Sequence, residues 1–160
     1  MANRSLTHFA LALAGSALLA AAPTVRAAEN PQTTYACQGF DEPLKRNNIH
    51  IDRGRVLPLR GKLILPNGKF GDNTVLKTAP VISLKYQPEG KPEVDKTGGL
   101  EVRDYGKGTS FVWDAEAHWK FDLGTGNLPD NGQYTVTLLS GDPKEYRVDP
   151  VCSLVFQLGP

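Results

Sequence analysis

Across residues 109–139 the chain places large apolar side chains at alternate positions, and that pattern restricts the fold more than any other stretch. Phe111 and Trp113 alternate with smaller partners, a tight turn follows over 114–118, and Trp119 and Phe121 resume the alternation. Leu128-Pro129-Asp130-Asn131-Gly132 then makes a corner. It opens a strand in which Tyr134, Val136 and Leu138 share one face and Thr135 and Thr137 the other. A period of two places successive side chains on opposite sides of a pleated strand. The four rings of 111, 113, 119 and 121 then fall on one face of a hairpin, leaving Val112 and Lys120 on the other. Burying those rings needs a second layer, so this stretch predicts the centre of a small antiparallel β-sandwich.

The rest of the chain fits the same class. Strands are expected at 34–40, 49–51, 55–65, 80–87, 100–105, 145–148 and 151–158, separated by Gly- and Pro-rich punctuation. Pro58 and Gly61 inside the third run predict an edge or a bulge. Asn67-Gly68 marks a turn, Lys45 to Asn48 a solvated loop, and 88–99 a mobile loop. With 16 Gly and 12 Pro and no helical period past the first residues, an all-β fold is predicted over an α/β one. Asp130-x-Gly132-x-Tyr134 matches the tyrosine corner of immunoglobulin-like sandwiches, in which the Tyr hydroxyl bonds back to upstream backbone. Val136 stands where an antibody domain carries its inter-sheet cysteine.

Residues 1–27 read as a cleaved signal peptide: Arg4, an apolar run over 9–22 too short to span a bilayer, then small residues at the cleavage positions. Cleavage is expected after Ala27 or Ala28, leaving 28–160 as a single domain that is periplasmic or extracellular. The leader removes Arg4 and Arg26 from a chain of net charge +1, so what remains is slightly acidic. That balance argues against nucleic acid as a partner. No second apolar span predicts membrane insertion after cleavage. Cys37 and Cys152 are the two cysteines, and in an oxidising compartment they predict one disulfide, with two buried free thiols as the alternative.

Candidate chemistry is sparse. Beyond the leader the histidines are His50 and His118, and there is no Gly-x-Ser-x-Gly elbow, so no catalytic residue is assigned. His50 and Asp52 share a strand face and are possible ligand-facing residues, as is Tyr105 in its Gly-rich surroundings. Asp114, Glu116 and His118 would point the same way if extended, but a turn is the preferred reading, and no metal site is assigned. Asp72-Asn73 and Asp130-Asn131 are read as turn residues rather than calcium ligands. Trp113 and Trp119 are read as core, although with Tyr86 and Tyr105 they raise a sugar-binding alternative. No cofactor is expected.

The order of several short motifs resembles the bacterial extracellular PxKF-type module. These are Gly39-Phe40-x-x-Pro43, Gly54-x-x-x-Pro58, Asp114-Ala115, Trp119-x-Phe121, the corner 128–136, Ser140-Gly141-Asp142, Tyr146 and Asp149-Pro150-x-Cys152. The chain departs from that pattern at Arg60 and Gly61, where the family has Lys and Phe. The resemblance implies an immunoglobulin-like sandwich of secreted or surface proteins and transfers no catalytic residues. The expected function is therefore an exported, non-enzymatic module with a structural or interaction role and a protein or polysaccharide partner. Irregular edges near Pro58 and the loop 88–99 are the expected contact regions. The alternative is carbohydrate binding through exposed aromatics, and behind it a small hydrolase or metal protein built on His50 or His118.

Overall fold

Leu57, Leu59, Gly61 and Leu63 alternate inward with Pro58, Arg60 and Lys62 outward, so one strand already carries half of an apolar wall. The computed structural model describes residues 32–41, 44 and 49–159, and these are nearly all β. In chain order the strands are β1 (Thr33–Phe40), β2 (Ile49–Asp52), β3 (Val56–Ile64), β4 (Val81–Pro88), β5 (Val94–Asp95), β6 (Glu101–Val102), β7 (Val112–Trp113), β8 (Trp119–Gly124), β9 (Gly132–Leu139), β10 (Tyr146–Val148) and β11 (Cys152–Gly159). The expected leader with its cleavage site, Pro43 and the 45–48 loop lie outside the described residues.

Two sheets form. The first runs β10-β1-β3-β8-β6, with β7 also on β8, and the second runs β2-β11-β9-β4-β5. Their inward faces share a single apolar cluster, an arrangement consistent with a β-sandwich. Leu59, Leu84, Phe121, Leu123, Tyr134, Val136, Leu138, Leu154 and Phe156 are fully buried in it. At about 1.5–3 kcal/mol for each fully buried large apolar side chain, this shared face is the main source of stability. The Cys37–Cys152 disulfide crosses from β1 to β11 and so joins the sheets, with 5.2 Å between the Cα atoms. Gly61 lies beneath it. A Cβ there would stand 3.1 Å from Leu138 Cδ1 and 3.6 Å from each sulfur, so the aromatic of the PxKF pattern has no room.

Three expectations are corrected. The sheets are not antiparallel throughout: β1 pairs with β10, and β11 with β2, in parallel. Both pairs join strands far apart in sequence, where no short turn imposes the antiparallel sense. Of the edge or bulge expected at Pro58 and Gly61, the edge is overturned, because β3 sits between β1 and β8, whereas the β1–β3 register does shift between Cys37 and Phe40, opposite Gly61. The β1 register ends at Phe40 opposite Gly61, so among the described residues no β1 partner stands opposite Pro58, and a residue without an N–H costs no ladder bond there. The 88–99 stretch is not a free loop. It turns back as β5 onto β4, and Thr97 Oγ1 accepts from Leu84 N at 2.9 Å.

The ring pattern folds as read. Phe111, Trp119 and Phe121 are buried, Trp113 is half-buried against Trp119, and Trp119 Nε1 donates to Gly71 O at 2.7 Å. In the second sheet Tyr86, Tyr134 and Phe156 stack across β4, β9 and β11, at 4.8 and 5.0 Å between ring centroids. Tyr134 Oη donates to Pro129 O at 2.5 Å and Tyr86 Oη to Asp130 O at 2.7 Å, which fixes the corner before β9.

Replacing both cysteines by alanine should lower unfolding free energy by about 2–5 kcal/mol, read from urea melts, because the bridge closes a sequence separation of 115. A change near zero would mean the sheets need no covalent clasp. Burial of the phenols holds Tyr35, Tyr134 and Tyr146 above the ordinary value of 10.0. Below pH 10 both states keep these protons and the stability is complete. Above it the unfolded chain releases them while the folded chain does not, so stability should fall as pH rises. Tyr134→Phe should flatten that alkaline slope in a urea-midpoint series, while costing about 1–2 kcal/mol at neutral pH through the lost hydrogen bond.

Candidate functional site

The turn between β7 and β8 gathers the most reactive side chains. Asp114 Oδ1 accepts from the backbone N–H of Glu116 at 3.0 Å and of His118 at 2.9 Å, and Ala117 takes a positive φ of 62° to close the loop. A short polar side chain capping its own turn is what Asp at this position favours. The turn reading therefore holds, and the turn itself also brings Asp114, Glu116 and His118 together, with one ligand atom of each within 4.8 Å of the others.

Around that triad the structure adds residues from distant strands. His118 Nε2 lies 2.6 Å from Asp41 Oδ2, just past the end of β1, and its Nδ1 is 3.8 Å from Asp114 Oδ1. Lys120 pairs closely with Asp114 Oδ2 and lies 3.3 Å from Glu116 Oε2, while Arg60 Nη1 is 3.9 Å from the same Glu116 oxygen. The Tyr105 ring covers the Lys120 ammonium, 4.9 Å from its centroid. Lys120 is on the face opposite the rings, as the alternation requires, yet its side chain is only 8 % exposed. The cover comes from the segment after β6, where Arg103 N donates to Asp122 O at 3.0 Å and Asp122 N to Tyr105 O at 2.7 Å. The same burial pushes the Asp122 carboxyl above its usual range, with the Tyr105 backbone, Arg60 and Lys120 pulling it down and Asp104 adding to the rise.

This arrangement is a network of opposite charges. Asp114 and Glu116 would attract a cation, and the Lys120 ammonium already occupies that position. His118 is held against carboxylates on both sides, and among the described residues no Ser, Thr or Cys side chain hydrogen-bonds to it. A nucleophile–base pair needs that contact. What the cluster does is tie the β7–β8 turn to the end of β1 and to the outer side of β3.

The three residues singled out as ligand-facing are not brought together. Tyr105 covers the first sheet, whereas His50 and Asp52 lie exposed on β2 at the margin of the second, with Asp52 3.8 Å from Arg55. Asp72 accepts from Thr74 N, Thr74 Oγ1 and Val75 N, and the Thr74 hydroxyl is the first cause of its lowered pKa. Asp130 pairs with Arg53 at 2.9 Å, and Asn131 takes a positive φ of 61°. Both are turn residues, as read. Tyr86 is buried in the aromatic stack. The sequence reading missed Asp41, Arg60, Lys120 and Asp122; the one local signal was the Lys120/Asp122 alternation behind a ring-bearing face.

No helix among the described residues is long and apolar enough to cross a membrane. Compared with protein-family models and with curated proteins, the chain matches none.

Lys120→Met should cost about 3 kcal/mol, because it leaves Asp114 uncompensated in a nearly closed site. Zinc or calcium should leave the thermal midpoint of the wild-type chain unchanged and raise that of the Met variant, since removing the ammonium frees the acidic pair for a metal. A rise in the wild type would show that Lys120 does not fill the cation position.

Proposed function

We propose that this chain is an exported, non-enzymatic module of immunoglobulin-like type, acting outside the cytoplasm in a structural or interaction role. One observation carries the reading: the side chains able to do chemistry are taken up in holding the β7–β8 turn, and sheet faces and edges are left to meet a partner. The Cys37–Cys152 bridge suits an oxidising compartment. The Tyr134 hydroxyl bond to Pro129, the residue pattern of PxKF-type modules and the two-sheet core support the finer class.

Sugar binding through exposed aromatics gains little from the geometry. Trp119 and Tyr86 belong to the core and Trp113 packs against it, so only Tyr105 of the four offers an open ring, at 42 % exposure. A hydrolase or metal protein on His118 is opposed by the placement of Lys120. His50 has Gln157 as its register partner across β2 and β11, and no carboxylate is within salt-bridge distance among the described residues.

Expressing the full chain in a bacterium and weighing the exported form tests the compartment. The expected mass lacks residues 1–27 or 1–28 and two further hydrogens for the disulfide. A full-length, thiol-bearing protein retained in the cytoplasm would overturn the reading.

A further inference from the structure

The sulfurs that join the two sheets lie inside the core they join. Cys37 is 6 % exposed and Cys152 1 %, and both belong to the shared apolar cluster. Leu63 and Leu138, their register partners on β3 and β9, are buried as well. Gly61 runs close beside both sulfurs, and the Gly39 N–H donates to Cys152 Sγ at 3.0 Å. The strands that carry the bridge are interior ones: β1 lies between β10 and β3, and β11 between β2 and β9. Neither can peel away from a sheet edge to uncover a sulfur. A disulfide is made and broken by a thiolate attacking one sulfur, so its chemistry depends on access.

We propose that the Cys37–Cys152 bond is made on the open chain by exchange with a disulfide-bearing oxidant, before the sheets close, and that closure then seals it until the whole domain opens. One cysteine thiolate attacks the oxidant's disulfide, forming a mixed disulfide and releasing the oxidant's first thiolate. The second cysteine thiolate attacks the chain's own sulfur in that mixed disulfide, forming the bridge and releasing the oxidant's second thiolate. The chain loses two hydrogens and two electrons, and the oxidant leaves as the dithiol. Room argues against the opposite order. Unbonded heavy atoms stand about 3.5–4 Å apart, so two free thiols need space that Gly61 and Leu138 already fill, and overpacking destabilises a core. The bond spans 115 residues, yet the cost of bringing chain ends together grows only with the logarithm of loop length, so the open chain can supply the encounter. Placing the step after export rests on the reading of the chain as an exported module; the order of bond and closure does not.

The test begins with the folded, disulfide-bonded chain. Dithiothreitol is added at concentrations low enough for the reduction rate to stay proportional to them, and released thiols are captured by a maleimide and counted by mass. Over a series of urea concentrations below the unfolding transition, the logarithm of the rate should rise with the slope of global unfolding read by tryptophan fluorescence. Without urea, reduction should be at least about a thousandfold slower than in the urea-unfolded chain. A rate that urea leaves unchanged, or raises with only a fraction of that slope, overturns the seal, since the thiol then reaches the bridge in a closed or locally opened protein. In the reverse direction, the reduced, unfolded chain is diluted into buffer containing glutathione disulfide, with free thiols and fluorescence followed side by side. Bond formation should precede or accompany the native fluorescence. Native fluorescence completed while both thiols are still free, with oxidation following, overturns the order. Both arms are read on purified protein, so a chain retained in the cytoplasm would fail the mass test of the exported reading and leave these outcomes unaffected.

Discussion

Gly61 passes under the Cys37–Cys152 bridge that joins the two sheets, and the rest of the structure depends on that close approach. With hydrogen in place of a side chain, β3 can lie against Leu138 and both sulfurs. The bridge then holds β1 to β11, the strands that bring the two ends of the described chain into opposite sheets. Around this contact the inward residues of both sheets close into one cluster. The non-directional gain from burying them explains why very short strands such as β6 and β7 persist beside β8.

Lys120 illustrates how a sheet handles a polar face that is not left to water. The strand β8 is buried on both sides, with Trp119, Phe121 and Leu123 inward and Lys120 and Asp122 beneath the segment that carries Tyr105. Desolvating an ammonium is costly unless it is paired, and Asp114 and Glu116 supply the pairing. The same turn that caps itself with Asp114 thereby satisfies the lysine, which gives the acidic triplet a structural explanation. The raised pKa of Asp122 belongs to the same cover: a carboxyl held from water by the 103–105 segment, with Arg60 and Lys120 restraining the shift.

The second sheet divides its labour differently. Its inner row of rings fixes the backbone, and its outer rows of Ser, Thr and Gln remain accessible. The two rows are adjacent because alternation puts each glutamine beside a ring in the chain: Tyr86-Gln87, Gln133-Tyr134 and Phe156-Gln157. Those dipeptides were visible in the sequence, but nothing local says that the three segments lie side by side in one register.

Most strands were legible from alternation alone. Chain geometry turns a period of two into one buried and one exposed face whatever the partner, and so the 109–139 stretch, the corner at Tyr134 and the turns at Asp72 and Asp130 read correctly. Pairing was harder to read. The parallel ladders, the inward setting of β3, the return of β5 and the burial of Lys120 each depend on which distant strand lies alongside, and that is chosen by the closure of the whole core. The sequence determined by itself an all-β chain with ringed inner faces and two cysteines to join. Only the tertiary structure decided which polar residues are covered, as at Lys120, and which stand in line, as at Gln87, Gln133 and Gln157, because cover and register arise between strands and not within them.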